Sequence, residues 1–218
     1  MTQGLLPLAL PPAPAEHPDV AYTDPAVARA HVEYLGRRYC LGTAPLVMWE
    51  PFAGAGAYLD AWQHCRHWDT VVAGELDPGA PAVLSGRVER RDAFDGPPGG
   101  VADWIVTNPP FATFDKRLPA LLERARVGVS LLLVGQSLAP AGNRADKTAR
   151  DRMWTNTPPD EMCWLSPRLS FDRTGKPKGG SDMREYALVT WLRRAGEWRG
   201  RMRLARLNWR TGQSWGRG

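Results

Sequence analysis

Hydrophobic positions change period along the chain, and the changes mark its elements. Val27, Ala30, His31, Tyr34 and Leu35 recur at helical spacing within a segment from about Asp24 to Tyr39, with Thr23 or Asp24 as its cap and Pro25 in its first turn. Leu46 to Trp49 is then a short apolar run ending at Glu50, the mark of a buried strand. Ala57 to Trp68 predicts a helix, Thr70 to Ala73 a second strand reaching Gly74 and Glu75, Pro78 to Ser85 a short helix or turn, and Val88 to Arg91 a short third strand. A stronger strand, Asp103 to Thr107, runs into Asn108, and a helix from Phe114 to Arg126 leads to the apolar strand Val129 to Val134. A polar helical stretch, about Asn143 to Trp154, precedes two further strands, Glu161 to Leu165, extending towards Phe171, and Tyr186 to Leu192.

Strands alternating with helices predict an α/β fold, doubly wound around a mainly parallel sheet. The link Asp172 to Glu185 is Gly/Lys-rich and too short for a crossover helix, so the two strands it joins are expected to pair antiparallel. The irregular stretches 139–160 and 172–185 are long enough to suggest a role of their own.

A chain of 218 residues suits one domain with tails: a Pro-rich arm over 1–20, a body over 21–192 and a basic tail over 193–218. Net charge changes that picture through its placement. The whole chain carries +5, yet from Arg193 onward eight arginines face one acid, Glu197, so the positive field is local and a polyanionic partner is expected. No apolar run approaches the roughly 20 residues of a membrane helix. The first residues lack a basic segment, and prolines interrupt their apolar stretch, so no signal peptide is expected. Cys40, Cys65 and Cys163 form no C-x-x-C pair and are odd in number, which points to a reducing cytoplasm. His64-Cys65-Arg66-His67 contains metal-ligating residue types without a second ligand pair elsewhere; a helix face is the expected reading, and no metal.

Glu50-Pro51-Phe52-Ala53-Gly54-Ala55-Gly56 sits where a strand turns into a helix, at the strand end where doubly wound sheets bind ligands. Glycines there let backbone approach a ligand closely. The nicotinamide fingerprint G-x-G-x-x-G fails, because its third glycine falls on Leu59. Glu75 closes the next strand about 20 residues on, where an acid accepts from ribose hydroxyls. Leu76 can cover an adenine face, and Asp92 closes the third strand where it can accept from an adenine amine.

Asn108-Pro109-Pro110-Phe111 follows the fourth strand directly. The tetrapeptide resembles the catalytic motif of amino-methyltransferases in its N6-adenine form. Glu50 to Gly56 resembles their cofactor loop, Tyr22-Thr23-Asp24-Pro25 their N-terminal motif, and Arg168 to Trp191 the end of small phage-type adenine methyltransferases. The resemblance covers about residues 20–192. Asp24 departs from it, since many relatives carry an uncharged residue before the proline. The resemblance implies a seven-stranded, Rossmann-like methyltransferase sheet with an antiparallel last strand and S-adenosyl-L-methionine as cofactor. It also implies methyl transfer to the exocyclic N6 amine of adenine in DNA. Glu50, Phe52, Gly54, Gly56, Glu75, Leu76, Asp92 and Asn108 would hold the cofactor, with Thr23 near its methionine end, and Asn108, Pro109, Pro110 and Phe111 would be catalytic.

These residue types suit that chemistry. The adenine amine is a poor nucleophile because its lone pair delocalises into the ring. Two acceptors, the Asn108 side-chain oxygen and the Pro109 carbonyl, can draw it towards tetrahedral geometry, and prolines keep the carbonyl aimed. Phe111 offers a face for an extruded base.

The chain has no room for a separate recognition domain after the tetrapeptide, so target choice is expected from the irregular stretches, the tail or a partner. Lys176, Lys178 and Arg184 are candidates for phosphate contact, or members of a solvated hairpin. The tail alternates arginine with Trp198, Trp209 and Trp215, either to bind nucleic acid or as a helix docked through its indoles. The same chemistry on RNA adenine or a protein glutamine amide, and a non-enzymatic nucleic-acid-binding module, are the alternatives.

Overall fold

Asp24 opens the first helix, its carboxylate accepting from the Ala26 N–H at 2.7 Å, with Pro25 at the first helical position. The computed structural model describes residues 22–39, 45–65, 70–138, 156–169, 184–198 and 200–216. Helix α1 spans Pro25–Arg38, and Arg37 and Arg38 in its last turn match the negative end of its dipole. Strand β1 (Val47–Glu50), helix α2 (Ala57–His64), strand β2 (Thr70–Glu75), helix α3 (Pro81–Leu84), strand β3 (Glu89–Arg90) and a 3-10 turn over Ala93–Asp95 follow in order. Strand β4 (Ala102–Thr107) is joined by helix α4 (Phe114–Arg124) to strand β5 (Ala125–Val134), which leads into the short helix α5 (Gly135–Leu138). The remaining strands are β6 (Glu161–Ser166), β7 (Tyr186–Arg194), β8 (Glu197–Trp198), β9 (Arg203–Asn208) and β10 (Ser214–Gly216).

All ten strands belong to a sheet ordered β10-β9-β6-β7-β5-β4-β1-β2-β3, with β8 paired to β7. Strands β3, β2, β1, β4 and β5 run parallel. Strand β7 inserts antiparallel between β5 and β6, as the short link between the last two predicted strands requires. The strand count is ten where seven were expected, and the difference lies in the C-terminal segment. Strand β9 pairs parallel with β6 over six residues, and β10 returns antiparallel beside it. This segment forms strands, not the docked helix weighed as one reading, because β6 offers an open edge whose N–H and C=O groups need partners. The arm over 1–20, the helical stretch 143–154, and Lys176 and Lys178 lie outside the described residues.

Helices cover both faces. On one, α1 and α2 pack Ala28, Val32, Leu35, Tyr58 and Trp62 over Met48, Trp104 and Val106. On the other, Phe114, Leu118, Leu121 and Leu122 of α4 cover Trp49, Ile105, Val129, Leu131 and Val189.

Two buried polar networks fix α1 to the sheet. His31 is fully buried between the Tyr58 hydroxyl (2.8 Å) and the Ser130 hydroxyl (2.7 Å), and burial lowers its pKa to about 3, so the imidazole is neutral. Glu161 accepts from the Tyr34 hydroxyl at 2.5 Å and from Arg38 Nε at 2.9 Å. These contacts hold the helix whose N-terminus carries Thr23.

Among the described residues no helix is long and apolar enough to cross a membrane, and no group of His, Cys, Asp and Glu could hold a metal ion. Cys65 is a buried free thiol at the end of α2.

Candidate active site

The parallel strands end on one edge, where β1, β2 and β4 release the segments that build a cavity of about 600 Å³. This is the edge and the size expected of a small-molecule site in a doubly wound sheet. Phe52, Gly54, Glu75, Leu76, Asn108, Pro109, Pro110 and Phe111, all singled out by sequence, line it. Tyr22, Asp77, Pro78, Ala80, Arg90 and Arg117 complete the lining.

The glycine loop is built for close approach. Gly54 has φ +52°, and a Cβ there would stand 3.0 Å from the Tyr22 ring, so only glycine lets that ring lie over the loop. Gly56, with φ +89°, is the left-handed residue preceding α2, and a Cβ on it would meet the Arg87 guanidinium at 2.9 Å. Gly56 does not line the cavity; its role here is to turn the chain into the helix.

The Glu75 carboxylate stiffens this rim, one oxygen accepting from the Gly54 N–H at 2.9 Å and the other from the Asp77 N–H at 3.0 Å. A carboxylate has about four acceptor positions, so two backbone donors leave capacity for a ligand. Leu76 beside it is 43% exposed, an apolar side chain held on the cavity wall.

Glu50 lies beneath the cavity. It is fully buried, accepting through Oε1 from the Phe52 N–H at 3.0 Å and from the Thr107 hydroxyl. Its Oε2 has no hydrogen-bond partner among the described residues. Burial pushes the carboxyl up to about 8, against the two hydrogen bonds that favour its charge. A cationic group reaching this oxygen would restore the charge.

Asn108 leaves β4 with its amide fixed, Nδ2 donating to the Thr23 hydroxyl at 3.0 Å. Pro109, Pro110 and Phe111 continue along the cavity wall, and the Phe111 ring packs against Tyr186, centroids 6.0 Å apart.

Asp92 stands outside the lining. Its carboxylate accepts from the Phe94 N–H at 3.0 Å, capping the 3-10 turn, and lies 4.0 Å from Arg117. Arg117 was not read from sequence. It stacks over the Phe52 and Phe94 rings, 5.2 Å from each centroid, and lines the cavity. No local motif marks it, because α4 brings it back over a loop 65 residues earlier in the chain. Tyr22 was legible only as a neighbour of Thr23; burial, then the acids Asp77 and Glu75, raise its pKa. Arg184 is exposed at the start of β7's approach.

The fold recurs in solved structures. One is the methyltransferase subunit of a type I restriction-modification system from Streptococcus thermophilus, 14% identical with a TM-score of 0.55, the match covering 89% of this chain and 50% of that one. Another is a modification subunit assigned to a type I restriction enzyme from Vibrio vulnificus, 12% identical with a TM-score of 0.54, covering 89% of this chain and 48% of that one. A third, from Lactococcus lactis, carries the name of a hemolysin; it is 15% identical with a TM-score of 0.53, covering 84% of this chain and 91% of that one. The chain spans about half the length of the first two proteins. No family model and no curated protein sequence matches the chain. What these structures share with it is the α/β fold, a mostly parallel central sheet with antiparallel strands on one side.

Proposed function

We propose that the chain is an S-adenosyl-L-methionine-dependent methyltransferase acting on the N6 amine of adenine in DNA. The observation that carries this reading is that Asn108-Pro109-Pro110-Phe111 lines the same cavity as Phe52, Gly54, Glu75 and Leu76.

The cavity suits the cofactor chemically. Glu75 accepts from ribose hydroxyls, Leu76 and Phe52 give apolar cover, and the Gly54 loop admits close backbone approach. The buried Glu50 Oε2 stands ready for a cation. When bound, the cofactor supplies the electrophilic methyl group.

The chain's own residues then act on the amine. In this reading the Asn108 side-chain oxygen accepts one amine N–H and the Pro109 carbonyl accepts the other, with Thr23 tethering the Asn108 side chain. Both acceptors favour the tetrahedral amine, whose lone pair becomes available for in-line attack. Phe111, braced by Tyr186, stacks on the extruded base. The amine becomes acidic only on methylation, so no strong base is needed first. Restriction-modification subunits among the proteins of similar fold support DNA as the substrate.

The test is incubation of the purified chain with labelled S-adenosylmethionine and DNA, RNA or protein, followed by nucleoside mass spectrometry. N6-methyladenine in DNA is expected. Label found in RNA or protein alone would move the substrate, and no label anywhere would defeat the reading.

A further inference from the structure

Strands β6, β9 and β10 carry the sheet past its helical cover. Register places Trp164 beside Arg206 and Arg206 beside Trp215, so the three side chains form one row across three strands on one face. Met162 beside Leu204 forms the next row. This is the face that α4 covers over β4, β5 and β7, and Met162 and Trp164 pack at the margin of that core. Beyond them no helix among the described residues covers it: Leu204 is 63% exposed and Trp215 48%.

The row itself carries positive charge. Residues 200–216 contain four arginines and no acid; Arg206 stands in the row, whereas Arg203, beside Glu161 in register, alternates to the opposite face and Arg210 packs on Trp209 beside α1. Arg206 is exposed, with Nη2 donating to the Ser166 hydroxyl at 2.9 Å, which orients its planar guanidinium beside the two indoles. Apolar rings alone would fit many protein partners. The guanidinium of Arg206 in the row, in a segment without an acid, repels a second copy of the same face and attracts a polyanion.

The row also lies near the proposed chemistry. A Cβ on Gly135, where β5 ends, would stand 3.2 Å from the Trp164 ring, so this indole reaches the edge of the sheet from which Asn108 emerges. Strand β6 is three strands from β4, roughly 14 Å at about 4.8 Å each.

We propose that this face of β6, β9 and β10 binds an unpaired strand of nucleic acid, bases stacking on Trp164 and Trp215 and Arg206 pairing with phosphate. Stacking needs exposed base faces, which a duplex keeps covered. The inference rests on the methyltransferase reading only in naming the strand as the one that carries the target adenine.

The test is fluorescence anisotropy of a labelled 12-nucleotide single-stranded DNA, and of its duplex, with the full chain at several salt concentrations. Trp215→Ala is expected to weaken single-strand binding about 5- to 100-fold, and Trp215→Phe to keep most of it. Arg206→Ala is expected to weaken binding and lower the log–log salt slope by about 0.7. Both side chains are exposed, so thermal melts of the variants should match the parent. Absent single-strand binding, equal binding by Trp215→Ala, or a duplex bound as tightly as the single strand would overturn the proposal. So would a dimer in sedimentation that Trp215→Ala dissolves, since a second copy would then own the face. Calorimetry with S-adenosylmethionine on the same samples separates the two ideas. A chain that binds the strand through this row but no cofactor overturns only the methyltransferase reading.

Discussion

The Asn108 amide nitrogen donates to the Thr23 hydroxyl at 3.0 Å, joining the end of β4 to the residue before the cap of α1, 85 positions apart. The bond ties the Asn108 side chain to the entrance of α1. Asn108→Ala is expected to lower methyl transfer about 100- to 1,000-fold, the usual cost of one preorganised group, with little change in melting temperature. Thr23→Val, which removes this one bond to the amide, should lose less. Turnover by Asn108→Ala at the parent rate would remove Asn108 from the mechanism.

Phe111 touches both the cavity and Tyr186. Phe111→Ala is expected to weaken nucleic-acid substrate binding by about 1–3 kcal/mol through lost stacking. Cofactor affinity should stay as it is. Calorimetry and steady-state kinetics on the variant distinguish the two, and a loss confined to the cofactor would move the base elsewhere.

Glu75 joins the Gly54 and Asp77 backbones and faces the cavity. Glu75→Ala is expected to weaken S-adenosylmethionine binding by about 1.5–3 kcal/mol, as for a lost charged hydrogen bond. Isothermal titration measures it directly. An unchanged dissociation constant would show that the acid serves only the loop.

Glu50 gives a pH signature. Burial raises its folded pKa to about 8 from the ordinary carboxylate range, so the native state binds a proton that the unfolded chain has already released. The stability this contributes is complete below the unfolded value, declines as pH rises, and is lost through about pH 8. Glu50→Gln keeps an acceptor without the charge. Its melting temperature should therefore hold steadier than the parent's between about pH 5 and 8 and exceed it above that. Parallel curves for the two proteins would contradict a protonated Glu50.

The C-terminal strands are expected to be structural as well as basic. Leu207 is fully buried, β9 pairs with β6 over six residues, and Trp209 Nε1 donates to the Pro167 carbonyl at 2.6 Å. Removing residues 200–218 exposes the β6 edge and the pocket of Leu207, whose burial alone stabilises by about 1.5–3 kcal/mol. A thermal melt should fall by several degrees, and an unaltered melt would show that β9 and β10 are dispensable to the fold.

Local chemistry made much of this protein legible in its sequence. Asp24 and the adjacent Pro25 mark a helix start, and the short, largely apolar run from Val129 to Val134 has the length and composition of a strand buried on both faces. Gly54, Glu75 and Asn108 could be read because each closes or follows a strand, and strand ends of a doubly wound sheet converge on one edge. Pairings between distant segments had no such signal. The β9 sequence Arg203–Asn208 has little to mark it as a strand until β6 presents an unpaired edge, and then backbone hydrogen bonding decides its state. Arg117 reaches Phe52 only because α4 folds back across the loop, and Asp92 is engaged by its own turn at Phe94. The protonation of Glu50 and His31 follows from burial, which depends on what packs around a residue and not on its neighbours in the chain.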